Sequence, residues 1–296
     1  MVQRLLADPP DLVFNFAEGQ GISRSRESRV PAVLETLGIP YTGSDPATLA
    51  VCLDKDWARR LVQSAGLAVP HGMTVSFGAQ RPDNLAKLGE VLPEAGLDMP
   101  VIAKPTCEGS SKGIRSKSII ETVEDFGPVV YEMWQSYRQP ILVEEFIDGD
   151  ELTVGIVGNH PPKILGVMRV KPRQPTKHFI YSIEVKRNYK ELADYECPAR
   201  LAHEDFAAVE EAALSAFEIL GCRDVARIDF RLRDGVPYFI EANPLPGLSP
   251  VSGDIVWIAN FMGVSHTELI ARIVAAARQR LELEKEPQQN IGCFQR

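Results

Sequence analysis

An acidic hairpin in the C-terminal third constrains this chain more than any other feature of its sequence. Residues 227–231 and 237–242 read as two strands, and Asp234-Gly235 between them is a strong hairpin-turn signal. In an antiparallel hairpin, Asp229 and Glu241, which lie twelve positions apart, come close together. The sequence therefore predicts two carboxylates side by side on one sheet.

These two carboxylates and Asn243 form a cluster of hard oxygen ligands. Asn243 lies two residues beyond Glu241 and therefore on the same face of the strand. Magnesium is typically held by one or two carboxylates while substrate phosphates complete its octahedral coordination. The hairpin thus predicts a magnesium site at Asp229, Glu241 and Asn243, and a polar face of ordinary surface acids is the alternative.

Length, charge and cysteine spacing restrict the function classes. With 296 residues, of which 45% are hydrophobic, the chain can form two or three subdomains. No apolar run reaches the roughly 18 residues that span a bilayer, and the start is not signal-like, so we expect a cytoplasmic protein without a membrane partner. A net charge of -8 argues against a nucleic-acid partner. The five cysteines contain no Cys-x-x-Cys pair and predict reduced thiols.

Apolar spacing, caps and turn residues predict a mixed series of helices and strands. Gly38 and Gly66 end two N-terminal helices, and Asp54 caps the second. Two amphipathic helices are predicted around residues 206–220 and 269–281. The other predicted strands are residues 11–16, 73–76, 100–104 and 141–146, and the other predicted helices are residues 27–37, 54–65, 82–95 and 121–137.

A lysine at the end of a predicted strand leads into a loop of small residues at positions 104–113. Neither a Gly-x-x-x-x-Gly-Lys-Ser/Thr phosphate loop nor a complete dinucleotide fingerprint occurs in the sequence. Glycine and serine nevertheless let backbone N–H groups approach phosphate oxygens, and Lys104 can supply a fixed positive charge. The loop predicts a phosphate lid, and an ordinary hairpin tip is the alternative.

An acidic strand and turn follow at residues 142–151. A strand edge presents N–H and C=O groups that can contact an adenine, and Glu151 can accept hydrogen bonds from ribose hydroxyls. The segment therefore predicts part of a nucleotide pocket, and a strand that ends at a solvated acidic turn is the alternative.

In their order and spacing, these motifs resemble the ATP-grasp superfamily, and specifically the D-alanine–D-alanine ligase family, over residues 11–281. The segments that carry the resemblance are Leu-Asp-Lys55, Ile-Ala-Lys104-Pro followed by Glu-Gly-Ser-Ser-x-Gly, Glu144-Glu-Phe-Ile-x-Gly-x-Glu151, Tyr-Glu-Cys197-Pro-Ala, Arg227-Ile-Asp229 and Glu241-Ala-Asn243-Pro-x-Pro-Gly247. The resemblance implies an α/β (α+β) ATP-grasp fold. Its expected parts are a shortened N-terminal α/β substrate subdomain (1–68), a central lid subdomain (69–147), a C-terminal subdomain (148–283) and a polar tail (284–296).

The resemblance also implies roles for individual residues. The residues implied to contact ATP are Lys55, Lys104, Ser110, Ser111 and Lys186 around the phosphates, Glu144, Glu145, Phe146 and Ile147 at the adenine, and Glu151 at the ribose. Those implied to bind two magnesium ions are Asp229, Glu241 and Asn243. Arg227 and the Gly247 backbone would stabilise an oxyanion, Ser110 would belong to the loop that closes over the site, and Ser252 would touch a substrate carboxylate.

The implied chemistry is activation of a carboxylate by ATP to an acyl phosphate, followed by attack of an amine. Positioned cations and metal ions, Mg2+ or Mn2+, neutralise the charge of the phosphoryl-transfer transition state. The implied product is a D-amino-acid dipeptide of peptidoglycan biosynthesis. ATP and small amino acids are the implied partners, and a homodimer is left open.

Two departures from the family pattern affect the amino-acid side of the site. The family begins with a strand and a glycine-rich loop whose glutamate holds an ammonium group, whereas this sequence starts at Met1-Val-Gln-Arg; Glu18 is the candidate substitute. The second substrate loop is rich in arginine, and an arginine replaces the tyrosine that often follows the lysine equivalent to Lys186. These arginines, which can bind a carboxylate of a different acid or be ordinary solvated charges, are Arg24, Arg26, Arg29 and Arg187.

The departures leave three hypotheses for the function. The first is a D-alanine–D-alanine ligase-like enzyme. The second is an ATP-grasp ligase for another amino acid or a peptide, which the arginine-rich loop favours. The third is a nucleotide-binding protein that has lost ligase activity, against which the intact Lys104, Arg227, Asp229, Glu241 and Asn243 argue.

Overall fold

Two antiparallel sheets form the framework of the molecule. The structure, a computed structural model, describes residues 2–78, 83–109 and 111–285, with side chains through residue 282. Predictions for Ser110, for Pro82 and for residues 286–296 of the polar tail lie outside these residues. Within the described ranges, no helix is long and apolar enough to cross a membrane.

Four helices precede the first sheet: α1 Val2–Ala7, α2 Arg29–Thr36, α3 Pro46–Leu53 and α4 Lys55–Ser64. The predicted cap of α4 is confirmed, because Asp54 Oδ1 accepts a hydrogen bond from the Trp57 N–H at 3.2 Å. Gly38 and Gly66 lie just past α2 and α4 with φ of 66° and 95°, a conformation that glycine adopts most easily. Helix α3 is not predicted from the sequence, because this largely apolar helix has no polar stripe to reveal its period.

The prediction of a strand at residues 11–16 is wrong. The segment is extended, but its ladder is a single parallel bridge between Val13 and Tyr41. The Val13 N–H donates to Pro40 O at 2.8 Å, and the Thr42 N–H donates to Val13 O at 3.0 Å. Among the described residues no further strand pairs with this segment, so its apolar pattern does not become a sheet.

The first sheet contains β1 Gly72–Val75, β2 Val101–Pro105, β3 Ile119–Ile120 and β4 Ile141–Glu145, in the order β1-β4-β2-β3. Helix α5, Val123–Tyr137, packs on it, and Phe126 and Val130 lie fully buried against the strands. The helix predicted at residues 82–95 is confirmed over a shorter range, as the 3-10 helix Leu85–Val91. Gly89 allows this helix to touch α5, since a Cβ at Gly89 would lie 2.5 Å from Val123 Cγ1.

The second sheet contains β5 Asp150–Val157, β6 Lys163–Pro172, β7 Ala193–Glu196, β8 Val225–Arg233 and β9 Val236–Asn243, in the order β7-β6-β5-β8-β9. The remaining helices are α6 Ile183–Arg187, α7 Tyr189–Leu192, α8 His203–Ile219, α9 Asp254–Phe261 and α10 His266–Lys285. One core lies between this sheet and α8, through Val209, Ala213 and Phe217. The other contains residues of α9 and α10, such as Ile258 and Leu269.

The predicted acidic hairpin is confirmed. Asp234 and Gly235 join β8 to β9 with φ of 52° and 77°, the paired positive values of a type I′ turn. Asp229 pairs with Glu241, whereas the next pair is Phe230 with Phe239, so Ile240 forms a bulge. Because of this extra residue, Phe239 points into the core while Glu241 remains beside Asp229.

Candidate active site

A cleft of about 720 Å³ lies between the two sheets. Strands β2 and β4 of the first sheet line one side, and strands β5, β8 and β9 of the second sheet line the other. Charged side chains from both sides face it, among them Lys104, Glu144, Glu151, Asp229 and Glu241.

A buried ion pair lies at the wall formed by the first sheet. Lys104 Nζ is 2.6 Å from Glu144 Oε2, and the side chains are only 4% and 1% exposed. The pair follows from the sheet, because β2 and β4 are antiparallel neighbours. Arg59 of α4 approaches the other oxygen of Glu144 at 3.9 Å. The Glu144 carboxylate is thus used to hold Lys104 at the cleft.

A second charge cluster surrounds the acidic hairpin. Arg227 Nη2 donates to Asp229 Oδ2 at 2.9 Å and to Glu241 Oε1 at 3.3 Å, and Arg227 Nε donates to Asp229 Oδ1 at 3.1 Å. Lys55, at the start of α4, lies 3.1 Å from Glu241 Oε2 and also donates to the backbone carbonyl of Glu108. Lys55 thereby connects the hairpin to the loop that follows β2.

The two paired carboxylates have opposite pKa shifts. Burial raises the pKa of Asp229 to about 6, and the neighbouring Glu241 charge adds to this, while Arg227 opposes it. Burial also acts to raise the pKa of Glu241, but the positive charges of Lys55, Arg227 and Lys186 lower it to about 2. At neutral pH both groups are ionised, and Asp229 is the one that protonates first as the pH falls.

The residues predicted at the adenine and ribose are held together by Arg231, which sequence reasoning missed. Arg231 Nη1 donates to Ile147 O at 3.1 Å, and Arg231 Nη2 donates to Glu151 Oε2 at 2.9 Å and to the carbonyl of Phe179. The guanidinium also lies 4.9 Å from the ring centre of Phe146. Since these partners are up to 84 positions away from Arg231, no local sequence pattern indicates the contact.

Asp254 is a second residue that the sequence analysis missed. Its Oδ2 accepts from Arg227 Nη1 at 2.8 Å and lies 3.5 Å from Lys186 Nζ. Its Oδ1 accepts from Tyr181 OH at 3.2 Å. Burial and the Asp254 charge raise the pKa of Tyr181. The only sequence signal is an acid in the first turn of a helix, which by itself is an ordinary feature.

A separate pocket, also bordered by Lys55 and Glu241, is lined by Arg26 of the arginine-rich segment. Arg26 is buried, donates to Cys107 O at 2.7 Å and lies 3.6 Å from Glu108 Oε2. Arg24 lies over the ring of Trp57 at 3.8 Å, and Arg29 donates to Gln20 O at 3.2 Å. These three arginines therefore contact the protein's own groups.

The remaining predicted site residues differ in their surroundings. Glu18 is exposed and lines the pocket beside Lys55. Ser111 Oγ donates to Tyr181 O at 3.1 Å, and Glu145 Oε1 accepts from the His71 N–H at 3.3 Å. Gly247, Ser252 and Arg187 are exposed, and neither described pocket is lined by them.

The donor set at the hairpin suits a hard divalent cation. Asp229 and Glu241 are direct cross-strand partners, and Asn243, paired with Arg227, follows on the same strand. The described residues contain no group of three or more His, Cys, Asp or Glu side chains that could hold a metal ion. Two carboxylates and an amide oxygen are the kind of oxygen ligands that magnesium takes from proteins, with further coordination positions left for phosphate oxygens.

Comparison with known proteins decides the family. A family model described as the D-ala D-ala ligase C-terminus matches residues 61–275. The chain belongs to the D-alanine–D-alanine ligase family. Its fold is that of the ATP-grasp ligases, and its function is D-alanine–D-alanine ligase-like.

Relatives of this ligase align over almost all of its sequence. It is 32% identical over 282 residues to the D-alanine–D-alanine ligase of Geotalea uraniireducens, covering 95% of this chain and 83% of that protein. It is 31% identical to the uncharacterized protein y4sG of Sinorhizobium fredii, over 93% of this chain and 77% of that one. The crystal structure of the VanG D-Ala:D-Ser ligase of Enterococcus faecalis superimposes with a TM-score of 0.70 at 26% identity, over 90% and 73% of the two chains.

Proposed function

We propose that this ligase uses ATP to activate the carboxylate of a D-amino acid, D-alanine above all, and joins it to an amine. The observation that carries the proposal is the cluster in which Lys55 and Arg227 meet Asp229 and Glu241. It places two cations and two carboxylates together, a combination that suits a reaction in which phosphate and carboxylate charge must be neutralised.

We assign the nucleotide to the cleft between the sheets. Lys104, fixed by Glu144, would contact phosphate oxygens, and Lys55 and Lys186 would approach from the other side. The backbone of residues 144–147 would contact the adenine. Glu151 has one oxygen occupied by Arg231 and by the Tyr181 N–H, so its other oxygen would accept from the ribose. Ser111 would belong to the loop that covers the phosphates.

We assign magnesium to Asp229, Glu241 and Asn243. When bound there, the metal would neutralise phosphate charge during transfer. In the structure, Arg227 and Lys55 already balance the two carboxylates, which shows that the hairpin carries its charge in a cation-rich setting. Ionised Asp229 and Glu241 are needed for this role, and both are ionised at neutral pH.

Arg227 is the proposed stabiliser of the oxyanion, together with the Gly247 backbone. Three carboxylates hold the guanidinium on the sheet, and Asp229 binds it through two nitrogens. A fixed cation of this kind stabilises developing negative charge without having to reorganise. In the reaction, the carboxylate takes the terminal phosphoryl group, ADP leaves, and the amine nitrogen then displaces phosphate from the acyl carbon.

Exposed side chains are proposed for the binding of the amino-acid substrates. Glu18 is proposed at an ammonium group, and Arg187 and Ser252 at a carboxylate, but their side chains lie exposed. Because Arg24 and Arg26 are engaged with Trp57 and with Cys107 O, they do not support an unusual acid substrate. The subdomain boundaries, a homodimer and a cytoplasmic location remain predictions.

ADP release tested over D- and L-amino acids, with mass analysis of the products, tests this function. We expect ADP release with D-alanine and a dipeptide product in equal amount. The Glu132→Gln protein is a suitable control, because the exposed Glu132 pairs with Lys117 and does not line the cleft. ATP binding without ADP release for any amino acid would instead favour a protein that has lost ligation.

A further inference from the structure

Asp254 contacts both cations next to the proposed oxyanion site, yet neither the ATP nor the metal assignment uses it. Its Oδ2 lies 2.8 Å from Arg227 Nη1 and 3.5 Å from Lys186 Nζ. The side chain is 9% exposed. Asp254 therefore gives these two cations a permanent carboxylate partner from the protein itself.

The position of this carboxylate is fixed by its surroundings. Asp254 is the first residue of α9, where a negative charge is favoured by the helix dipole. Tyr181 OH donates to its Oδ1 at 3.2 Å and shares a hydrogen bond of 2.8 Å with Tyr195 OH. The preceding Gly253 allows close approach, since a Cβ there would lie 2.2 Å from Gly247 O. These contacts leave the carboxylate little freedom to turn away from the cations.

Charge is already balanced at the centre of the site. The cations there are Lys55, Lys186 and Arg227, and the acids are Asp229, Glu241 and Asp254. Each of these cations lies within 3.5 Å of at least one of the acids. When Asp229 and Glu241 bind a metal, Asp254 still pairs with Arg227 and Lys186, so an acceptor carboxylate beside these two cations would meet the like charge of Asp254, which is unfavourable.

We infer that Asp254 determines the specificity for the second substrate, because its carboxylate already pairs with Lys186 and Arg227, the two cations that an acceptor carboxylate would otherwise use. The ligase then selects small primary amines without relying on a carboxylate beside the reacting amine. The bond changes are those of the ligase reaction: the amine nitrogen bonds the acyl carbon, the carbon–oxygen bond to phosphate breaks, and the amine proton ends on the released phosphate. This inference rests on the proposed function.

The test is a competition between two acceptors in one reaction. ATP, magnesium and D-alanine are supplied together with D-alaninamide, which can serve only as the amine, and mass analysis gives the ratio of dipeptide amide to dipeptide. Asp254→Asn keeps the shape and a hydrogen-bond acceptor for Arg227 but removes the charge. We expect this variant to shift the ratio at least about tenfold toward the dipeptide with a free carboxylate. The two amines differ in basicity, but this difference affects the product ratio of wild type and variant equally. The comparison between the two proteins therefore does not depend on it.

Controls separate selection from folding and from the ligase activity. Asp194→Asn removes an exposed acid paired with Arg173 at 2.9 Å, and we expect it to leave the ratio unchanged. Calorimetry with an ATP analogue checks that Asp254→Asn is folded, and Asp254→Ser is the second neutral variant. The shift in ratio should appear in both neutral variants and be absent in Asp254→Glu.

Three results would overturn the inference. One is an unchanged ratio in folded Asp254→Asn and Asp254→Ser. Another is a preference for the carboxylate-bearing acceptor that Arg187→Ala abolishes, which would assign recognition to Arg187. The third is loss of both products in neutral variants that still bind the ATP analogue, since Asp254 would then serve only to position Arg227. Absence of both products in the wild type would contradict the proposed ligase function itself.

Discussion

The nucleotide cleft and the pocket of the arginine-rich segment are held together in different ways. In the cleft, strands carry the charges, and buried pairs such as Lys104 with Glu144 and Arg231 with Glu151 hold them. In the other pocket, residues 17–28 form a loop that is held by the buried hydrogen bond from Arg26 to Cys107 O. Changes in the cleft should therefore affect catalysis and folding strongly, whereas changes in the loop should affect amino-acid binding more selectively.

The largest effect is expected from Glu241→Gln. The variant removes the charge that pairs with Lys55 and that would bind the metal, while the volume of the side chain is unchanged. We expect the rate of ADP release to fall at least about 100-fold, and the melting temperature to fall as well, because Lys55 and Arg227 lose a carboxylate partner. A rate equal to that of the Glu132→Gln control would show that the hairpin does not serve catalysis.

Lys104→Met should destabilise the cleft itself. It leaves the Glu144 carboxylate, 1% exposed, without its closest cation. Breaking a buried pair by removing one partner costs about 3–5 kcal/mol. The matched control is Lys117→Met, which removes a pair that is more than half exposed and should cost about 0–1 kcal/mol. Urea unfolding measures both, and equal losses would mean that the cleft is not specially dependent on its buried pair.

Metal affinity should depend on pH through Asp229. The pKa of this carboxyl is raised to about 6, so protons compete with a metal at lower pH. Between pH 7.5 and pH 5 the ionised fraction falls about tenfold, and the affinity for magnesium in the presence of an ATP analogue should fall with it. Glu241, with a pKa of about 2, stays ionised throughout. Calorimetry at the two pH values tests this, and Asp229→Asn should bind weakly with no such pH dependence.

The smallest effect is expected in the loop. Arg26→Lys removes the guanidinium group, which contacts both Cys107 O and Glu108. We expect the KM for D-alanine to rise about fivefold, because the lysine keeps the positive charge but loses one charged hydrogen bond. The affinity for an ATP analogue should stay the same. Steady-state kinetics measures the KM for D-alanine, and calorimetry measures the affinity for the ATP analogue. An equal loss of ATP affinity would mean that the loop and the cleft act as one unit.

The same contrast explains what the sequence could predict. Asp229 and Glu241 are brought together by a local turn, and Asp54 caps α4 by accepting from Trp57, three residues later. Short-range sequence patterns were therefore sufficient to predict both features. Asp254 contacts Arg227 across 27 positions, and Arg231 contacts Ile147 across 84, so only the folded chain reveals them. The prediction of a strand at residues 11–16 was wrong because an apolar pattern does not show whether another strand is available for pairing.

The most direct test of the central claim follows the oxygen atoms of the activated carboxylate. D-alanine labelled with 18O in its carboxyl group is turned over with ATP and magnesium, and the released phosphate is examined by mass spectrometry. If the carboxylate takes the terminal phosphoryl group, one labelled oxygen leaves in phosphate for each amide bond formed, and Glu241→Gln forms neither product. Unlabelled phosphate, with both labelled oxygens retained in D-alanine, would show that ATP is hydrolysed without activating the carboxylate.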